Sequence, residues 1–175
     1  MTETRLTQAD IRRLLGLLDA ELAASSVVGE LYLVGGAVMC LALDARESTR
    51  DVDAYFKPAR QVREAAARVA ARAGVPDTWL NDGAKAFLGS RGEFRAFLDL
   101  PHLKVFVAEP HYLFAMKCAA MRLGAGFQDL DDVRFLLRHL GVESTDEALA
   151  IVTRYFDEDQ LPPKTRLALE EILGR

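Results

Sequence analysis

Apolar residues set the first rhythm of the chain. Ile11, Leu14, Leu15, Leu18 and Leu22 recur at helical spacing, and Thr7 with Asp10 three residues on makes a capping-box-like start, which predicts a helix from Thr7. The period then shortens. Leu31-Tyr32-Leu33-Val34 is a brief apolar run that stops at Gly35-Gly36, the pattern of a buried strand breaking into a tight turn. A short helix from Ala37 to Leu43 leaves the turn, and Asp44 to Arg50 is polar and loop-like. Asp51-Val52-Asp53-Ala54-Tyr55-Phe56 predicts a second strand, closed by Lys57-Pro58. Arg60 to Ala73 is strongly helical and ends at Gly74, with Pro76 just beyond.

Two further strands are predicted over Phe94 to Leu98 and Leu103 to Val107. Four helices follow: Pro110 to about Leu123, Asp129 to near Gly141, Ser144 or Thr145 to about Phe156, and Pro162-Pro163 to Leu173. Gly124-Ala125-Gly126 reads as a loop between the first two. Mixed strands and helices first, then helices alone, predict an α/β (α+β) fold: a small mixed β-sheet core over 1–109 and a C-terminal helical region over 110–175. The 175 residues suit one compact domain, or one with a small appended lobe.

Composition removes several classes. With 50% hydrophobic and 27% charged residues the chain is neither collagen-like, disordered nor a disulfide scaffold. Lys and Arg number 22 against 26 Asp and Glu, a net charge of −4, which argues against coating a nucleic acid through bulk charge and leaves only a local basic face. The start MTETRLTQAD has no apolar stretch of signal-peptide length, no run reaches membrane-spanning length, and Cys40 and Cys118 sit in apolar stretches as buried reduced thiols do. A cytoplasmic protein is expected.

The stretch from Leu31 to Phe56 holds the most chemistry. Side chains alternate along a strand, so Asp51 and Asp53 emerge on one face, close enough to share a hard cation such as Mg²⁺. Without a cation two adjacent acids repel. The Gly35-Gly36 turn lets backbone amides approach a phosphate. Taken singly, a Gly-Gly is most often a turn and an Asp-x-Asp a solvated strand edge. Their ordered combination describes metal-assisted phosphoryl or nucleotidyl transfer, because Asp is disfavoured in strands and two in register need a reason.

Gly35-Gly36-Ala37-Val38 followed by Ser48-Thr49-Arg50-Asp51-Val52-Asp53 resembles the signature of the DNA polymerase β-like nucleotidyltransferase superfamily, and looks closest to the minimal enzymes around the AbiEii toxins. The segment Tyr112-Leu113-Phe114-Ala115-Met116-Lys117 and the later Asp129-Leu130-Asp131-Asp132 resemble the lysine and acidic motifs of that group. Asp77-Thr78-Trp79-Leu80-Asn81-Asp82 is similar to a segment of one branch, with no role attached. The resemblance implies Asp51 and Asp53 as ligands of a two-ion Mg²⁺ site, and Gly35, Gly36, Thr49 and Arg50 around a nucleoside triphosphate. It also implies Lys117 on the nucleotide phosphates and Asp129 supporting catalysis or orienting that lysine. The implied activity moves a nucleoside monophosphate from the triphosphate to an acceptor hydroxyl and releases pyrophosphate. A tRNA 3′ end is the acceptor the AbiEii likeness suggests, in a toxin neutralised by an antitoxin protein. A tyrosine or serine of a partner protein is the alternative acceptor, and a non-catalytic nucleotide- or protein-binding module is the alternative class. Two departures stand out. The superfamily usually carries serine where Gly36 stands, and a third carboxylate on a later strand is common, for which Asp99 is the local candidate.

The remaining residues have simpler accounts. Lys117 lies in a helix that is apolar nearly all round, so its ammonium must snorkel to water or meet an anion. Asp129, Asp131 and Asp132 fall where acids favour a helix dipole. Arg60, Arg63, Arg68 and Arg72 share one helix face, which reads as a solvated face ahead of a grip on RNA phosphates. His102, His111 and His139 lack ligand spacing, and Trp79 reads as a packing residue.

Overall fold

In the computed structural model, which describes residues 3–121 and 129–174, the chain divides into two units: Met1–Ala86 with Phe94–Ala108, and Phe87–Glu93 with Glu109–Arg175. The first unit opens with β1 (Leu6–Thr7) and α1 (Gln8–Ala24), followed by β2 (Gly29–Val34), α2 (Gly35–Leu41) and β3 (Ser48–Thr49). It continues through β4 (Val52–Lys57), α3 (Ala59–Ala73), β5 (Leu80–Asn81), β6 (Phe94–Asp99) and β7 (Leu103–Ala108). Five of these strands form a mixed sheet in the order β5-β4-β2-β7-β6, while β1 and β3 pair separately. Strand β2 runs antiparallel to β4 and parallel to β7, β5 lies parallel to β4, and β6 is antiparallel to β7.

Alternation fixes the faces of the sheet. Leu31 and Leu33 of β2, Val52, Ala54 and Phe56 of β4, and Leu103, Val105 and Val107 of β7 are buried on one side. Leu22 of α1 and Val62 of α3 lie against the Gly29 backbone on that side, so the two helices cover it. Helix α1 contributes Ile11, Leu14, Leu15, Leu18 and Leu22, and α3 contributes Val62 and Val69 with small Ala65, Ala66 and Ala70. A fully buried leucine contributes about 2 kcal/mol, so this stripe is a large part of the unit's stability. Tyr32, Asp53, Tyr55 and Phe106 project from the opposite face and are half-buried.

Local chemistry sets the ends of the helices. The Thr7 hydroxyl accepts from Asp10 N at 3.2 Å, and Asp10 Oδ2 accepts from Thr7 N at 2.9 Å, completing the predicted capping box. The Thr7 backbone N–H, and then the Thr7 hydroxyl donating to Oδ2 at 2.8 Å, hold the Asp10 carboxyl below the usual range. Gly74, with φ +67°, stops α3 in the left-handed conformation that glycine adopts without strain. Between the helices, Glu21 of α1 accepts from Arg68 at 2.9 Å and from Arg72 at 2.7 Å.

The second unit contains α4 (Pro110–Ala119), α5 (Asp129–Leu140), α6 (Thr145–Thr153) and α7 (Pro163–Leu173). Helix α4 buries Tyr112, Leu113, Phe114, Ala115, Met116 and Cys118, and α5 and α6 both pack on it. The Thr165 hydroxyl at the start of α7 donates to the Cys118 carbonyl at 2.8 Å. Cys40 and Cys118 are buried free thiols, and burial pushes both up, so they stay protonated.

Several boundaries differ from the sequence reading. Helix α4 ends at Ala119, short of Leu123, and the expected Gly124-Ala125-Gly126 loop lies outside the described residues. Helix α6 ends at Thr153, after which Tyr155 and Phe156 turn inward and are buried. The two-residue strands β1, β3 and β5 were not predicted. Among the described residues no helix is long and apolar enough to cross a membrane.

The Arg68 and Arg72 hydrogen bonds hold the Glu21 carboxyl below its ordinary value of 4.5. A depressed carboxyl stabilises the fold fully above that ordinary value and loses its contribution as pH falls through the lower folded-state value. Glu21→Gln is therefore expected to lower the thermal midpoint at pH 7, with the gap to wild type narrowing as pH falls below 4.5. A Tm series across that range checks it.

Candidate functional site

Strand β2 ends at Val34, and Gly35 turns with φ +65°, in the left-handed region. Val34 pairs with Asp53 across β2 and β4, which brings the Asp53 side chain against the turn. A Cβ on Gly35 would lie 3.0 Å from Asp53 Oδ2. A side chain at 35 would be strained by the left-handed backbone and would press on the Asp53 carboxylate. At Gly36 a Cβ would lie 2.6 Å from Arg46 Nη1 and 2.7 Å from Thr49 Oγ1. Glycine at 36 has a local cause: the Arg46 and Thr49 side-chain ends fill the space that a Cβ needs.

Thr49 is held by the small β1–β3 pairing, in which Leu6 faces Thr49, and Arg5 donates to the neighbouring Ser48 hydroxyl at 2.9 Å. Thr49 is buried, and its hydroxyl donates to the Asp51 carbonyl at 3.3 Å. Asp51 immediately precedes β4, and both it and Asp53 are half-buried. Beside them, Val52 N donates to Trp79 O at 2.6 Å and starts the parallel pairing that sets Asn81 opposite Asp53. The Asn81 amide donates to Asp51 Oδ2 at 3.0 Å, while its carbonyl oxygen accepts from Gly83 N at 3.1 Å. That second bond fixes which end of the amide faces the carboxylate.

The first unit thus gathers Gly35, Gly36, Thr49, Asp51 and Asp53 as the sequence predicted, and adds Arg46 and Asn81. Arg46 was read as loop, and Asn81 stood in a segment with no assigned role. Their signal was weak: Arg46 reaches Gly36 from an irregular loop, and Asn81 reaches Asp51 through the β4–β5 pairing distant in sequence. Arg50 is turned elsewhere: it is exposed and forms an ion pair with Glu3 at 2.8 Å. Asp99 is not a third carboxylate of this cluster. It pairs with Lys104, which lies beside Glu30 at the start of β2, four residues and about 13 Å along the strand from Val34.

Among the described residues no group of three or more His, Cys, Asp or Glu side chains assembles. The donor set still fits Mg²⁺, which is commonly held by one or two carboxylates together with substrate phosphates and water. A carboxylate offers about four acceptor positions, and Asn81 takes one on Asp51.

In the second unit Lys117 has met anions rather than snorkelled to water. Its ammonium lies 2.7 Å from Asp132 Oδ2 and 3.4 Å from Asp129 Oδ1, with both carboxylates buried. Asp132 is the nearer partner, whereas the resemblance implies Asp129. On α3, Arg60 pairs with Glu64, Arg63 with Asp82, and Arg68 and Arg72 with Glu21, so that face is engaged by the protein's own carboxylates. Trp79 is buried and donates to the Ala66 carbonyl at 3.0 Å, a packing residue as read. The chain matches no family model, no curated protein and no solved structure.

Gly35→Ala is expected to cost at least about 2 kcal/mol, from the left-handed φ and the contact with Asp53, measured by urea unfolding. Lys117→Met, which leaves two buried carboxylates without their ammonium, is expected to cost about 3 kcal/mol in the same assay.

Proposed function

We propose that the protein is a Mg²⁺-dependent nucleotidyltransferase whose core is of the DNA polymerase β-like kind. The observation that carries the reading is the Asp53 carboxylate packed against the positive-φ Gly35 turn, with Asp51 beside it and aimed by Asn81. A structural role for either feature alone is easy to supply. Acids two residues apart at the end of a strand, facing a turn stripped of side chains, suit a ligand that brings both metal and phosphate.

In the proposed reaction an acceptor hydroxyl attacks the α-phosphorus of a nucleoside triphosphate. The new bond joins the acceptor oxygen to phosphorus, the bond from the α-phosphorus to the bridging oxygen breaks, pyrophosphate leaves, and the hydroxyl proton passes to water. When bound, Mg²⁺ supplies positive charge to the phosphate oxygens and lowers the pKa of the attacking hydroxyl. Asp51 and Asp53 would hold the cation, and the phosphates would lie at the Gly35-Gly36 turn, where the Asp53 carboxylate and the Arg46 guanidinium also sit. The Arg46 guanidinium, pressed against Gly36, adds charge where the leaving group develops it. Asn81 is a positioning residue that acts through Asp51.

The test incubates the purified protein with Mg²⁺, each α-³²P nucleoside triphosphate in turn, and total RNA or cell lysate. Label is expected in a small-RNA band, as a tRNA acceptor requires, and label in a protein band names a protein acceptor instead. Asp51→Asn and Asp53→Asn are expected to lower the rate at least about 100-fold, and Asn81→Ala about tenfold, with KM for the nucleotide little changed. No label from a folded protein with any of the four nucleotides overturns the reading.

A further inference from the structure

The sheet face opposite α1 and α3 carries a row of rings that the carboxylate site does not use. Tyr32 of β2 stacks on Phe106 of β7, with centroids 4.8 Å apart and planes within 10°. It meets Phe94 of β6 edge-on at 5.2 Å and Tyr55 of β4 at 5.9 Å. All four rings are half-buried and keep accessible surface. The covered face of β2, β4 and β7 is mostly aliphatic, with Phe56 its one aromatic on those three strands, so rings are concentrated on the opposite face. Two ammonium groups stand over the row: Lys57 Nζ is 5.7 Å from the Tyr32 centroid and Lys85 Nζ is 5.9 Å from that of Tyr55.

Register links the row to the carboxylates. Tyr55 follows Asp53 by two residues on the same face, about 7 Å along the strand, and Tyr32 is the direct cross-strand partner of Tyr55. A chain whose terminal hydroxyl lay at Asp53 would bring its neighbouring group over Tyr55 and Tyr32. Flat rings with cations above them attract flat π-systems joined by anionic linkers, and every unpaired base offers a π-face.

We propose that Tyr55, Tyr32 and Phe106 form a stacking surface for unpaired bases of a single-stranded RNA, with Lys85 as the phosphate contact, since Lys57 is paired with Glu30 at 3.1 Å. The placement of the RNA end at Asp53 rests on the nucleotidyltransferase reading, whereas the binding itself does not. Stacking also accounts for how a chain of net charge −4 holds a polyanion. With one lysine at a phosphate, the salt dependence of log affinity is shallow, a slope of about −0.7 for a single strand.

The test is fluorescence anisotropy of an end-labelled 12-nucleotide oligoadenylate RNA, in EDTA and without nucleoside triphosphate, so that binding is read apart from transfer. The full chain is expected to bind, with Tyr55→Leu and Tyr32→Leu each weakening affinity about tenfold while circular dichroism stays native. Lys85→Ala is expected to flatten the salt slope by about 0.7 and, being an exposed residue, serves if Tyr32→Leu fails to fold. Asp51→Asn is expected to bind with the same dependence on the rings, so loss of transfer with retained binding separates the two proposals. Equal affinity for the RNA annealed to its complement, or for the folded Tyr55→Leu variant, overturns the proposal. Competition by AMP at the affinity of the 12-mer also overturns it, assigning the surface to a free nucleotide.

Discussion

The pairing of β2 with β4 decides what the rest of the first unit can do. Glu30 faces Lys57, Tyr32 faces Tyr55 and Val34 faces Asp53, while Leu31 and Leu33 face Phe56 and Ala54 on the covered side. Side-chain direction has a period of two, so a one-residue slip of β4 would turn Asp53 and Tyr55 toward α1 and α3, and Val52, Ala54 and Phe56 away from them. The buried residues pay for this register with several kilocalories of apolar burial. The carboxylate's meeting with the glycine turn is thus secured by residues that never touch it.

The same pairing sorts the other face into zones along the strands. At one end Glu30, Lys57, Lys104 and Asp99 form ion pairs among themselves. Those contacts are partly exposed and contribute little to stability, but they satisfy each charge where the sheet meets water. The Tyr32 hydroxyl donates to Glu30 at 2.8 Å and joins that charged end to the rings. At the other end lie Asp53, Asp51 and Asn81, beside a turn without side chains. Charge is balanced locally at the first end, and at the second the acids share the Gly35-Gly36 turn with Arg46.

Much of this was legible in the sequence where local pattern and burial coincide. The Thr7–Asp10 capping box, the leucine stripe of α1, the Gly74 stop of α3 and the strand leading into Gly35-Gly36 are each written within a few neighbouring residues. Asp51 and Asp53 were identifiable because alternation alone puts them on one face. The parts that stayed hidden depend on partners far along the chain. β1, β3 and β5 are two residues long and carry no period, yet β3 holds Thr49 and β5 holds Asn81. Arg46 looked like ordinary loop charge until Gly36 supplied the space it occupies. Asp99 looked eligible because its strand was identified and its register was not. One register relation, Asp99 with Lys104, moves it to the far end of the sheet.

Lys117 shows the limit of reading a charged residue by its own helix. Its apolar surroundings on α4 demanded an anion or water, and that inference needed no tertiary information. Which anion it meets is decided by α5, whose first turn presents Asp129 and Asp132 three residues apart on one face. Asp131, between them, points away to the exposed Arg134. Of three neighbouring acids, helical phase selects two for the lysine and gives the third to solvent. Acids placed for a helix dipole can therefore serve a buried cation as well, and their position in the first turn does not distinguish the two roles.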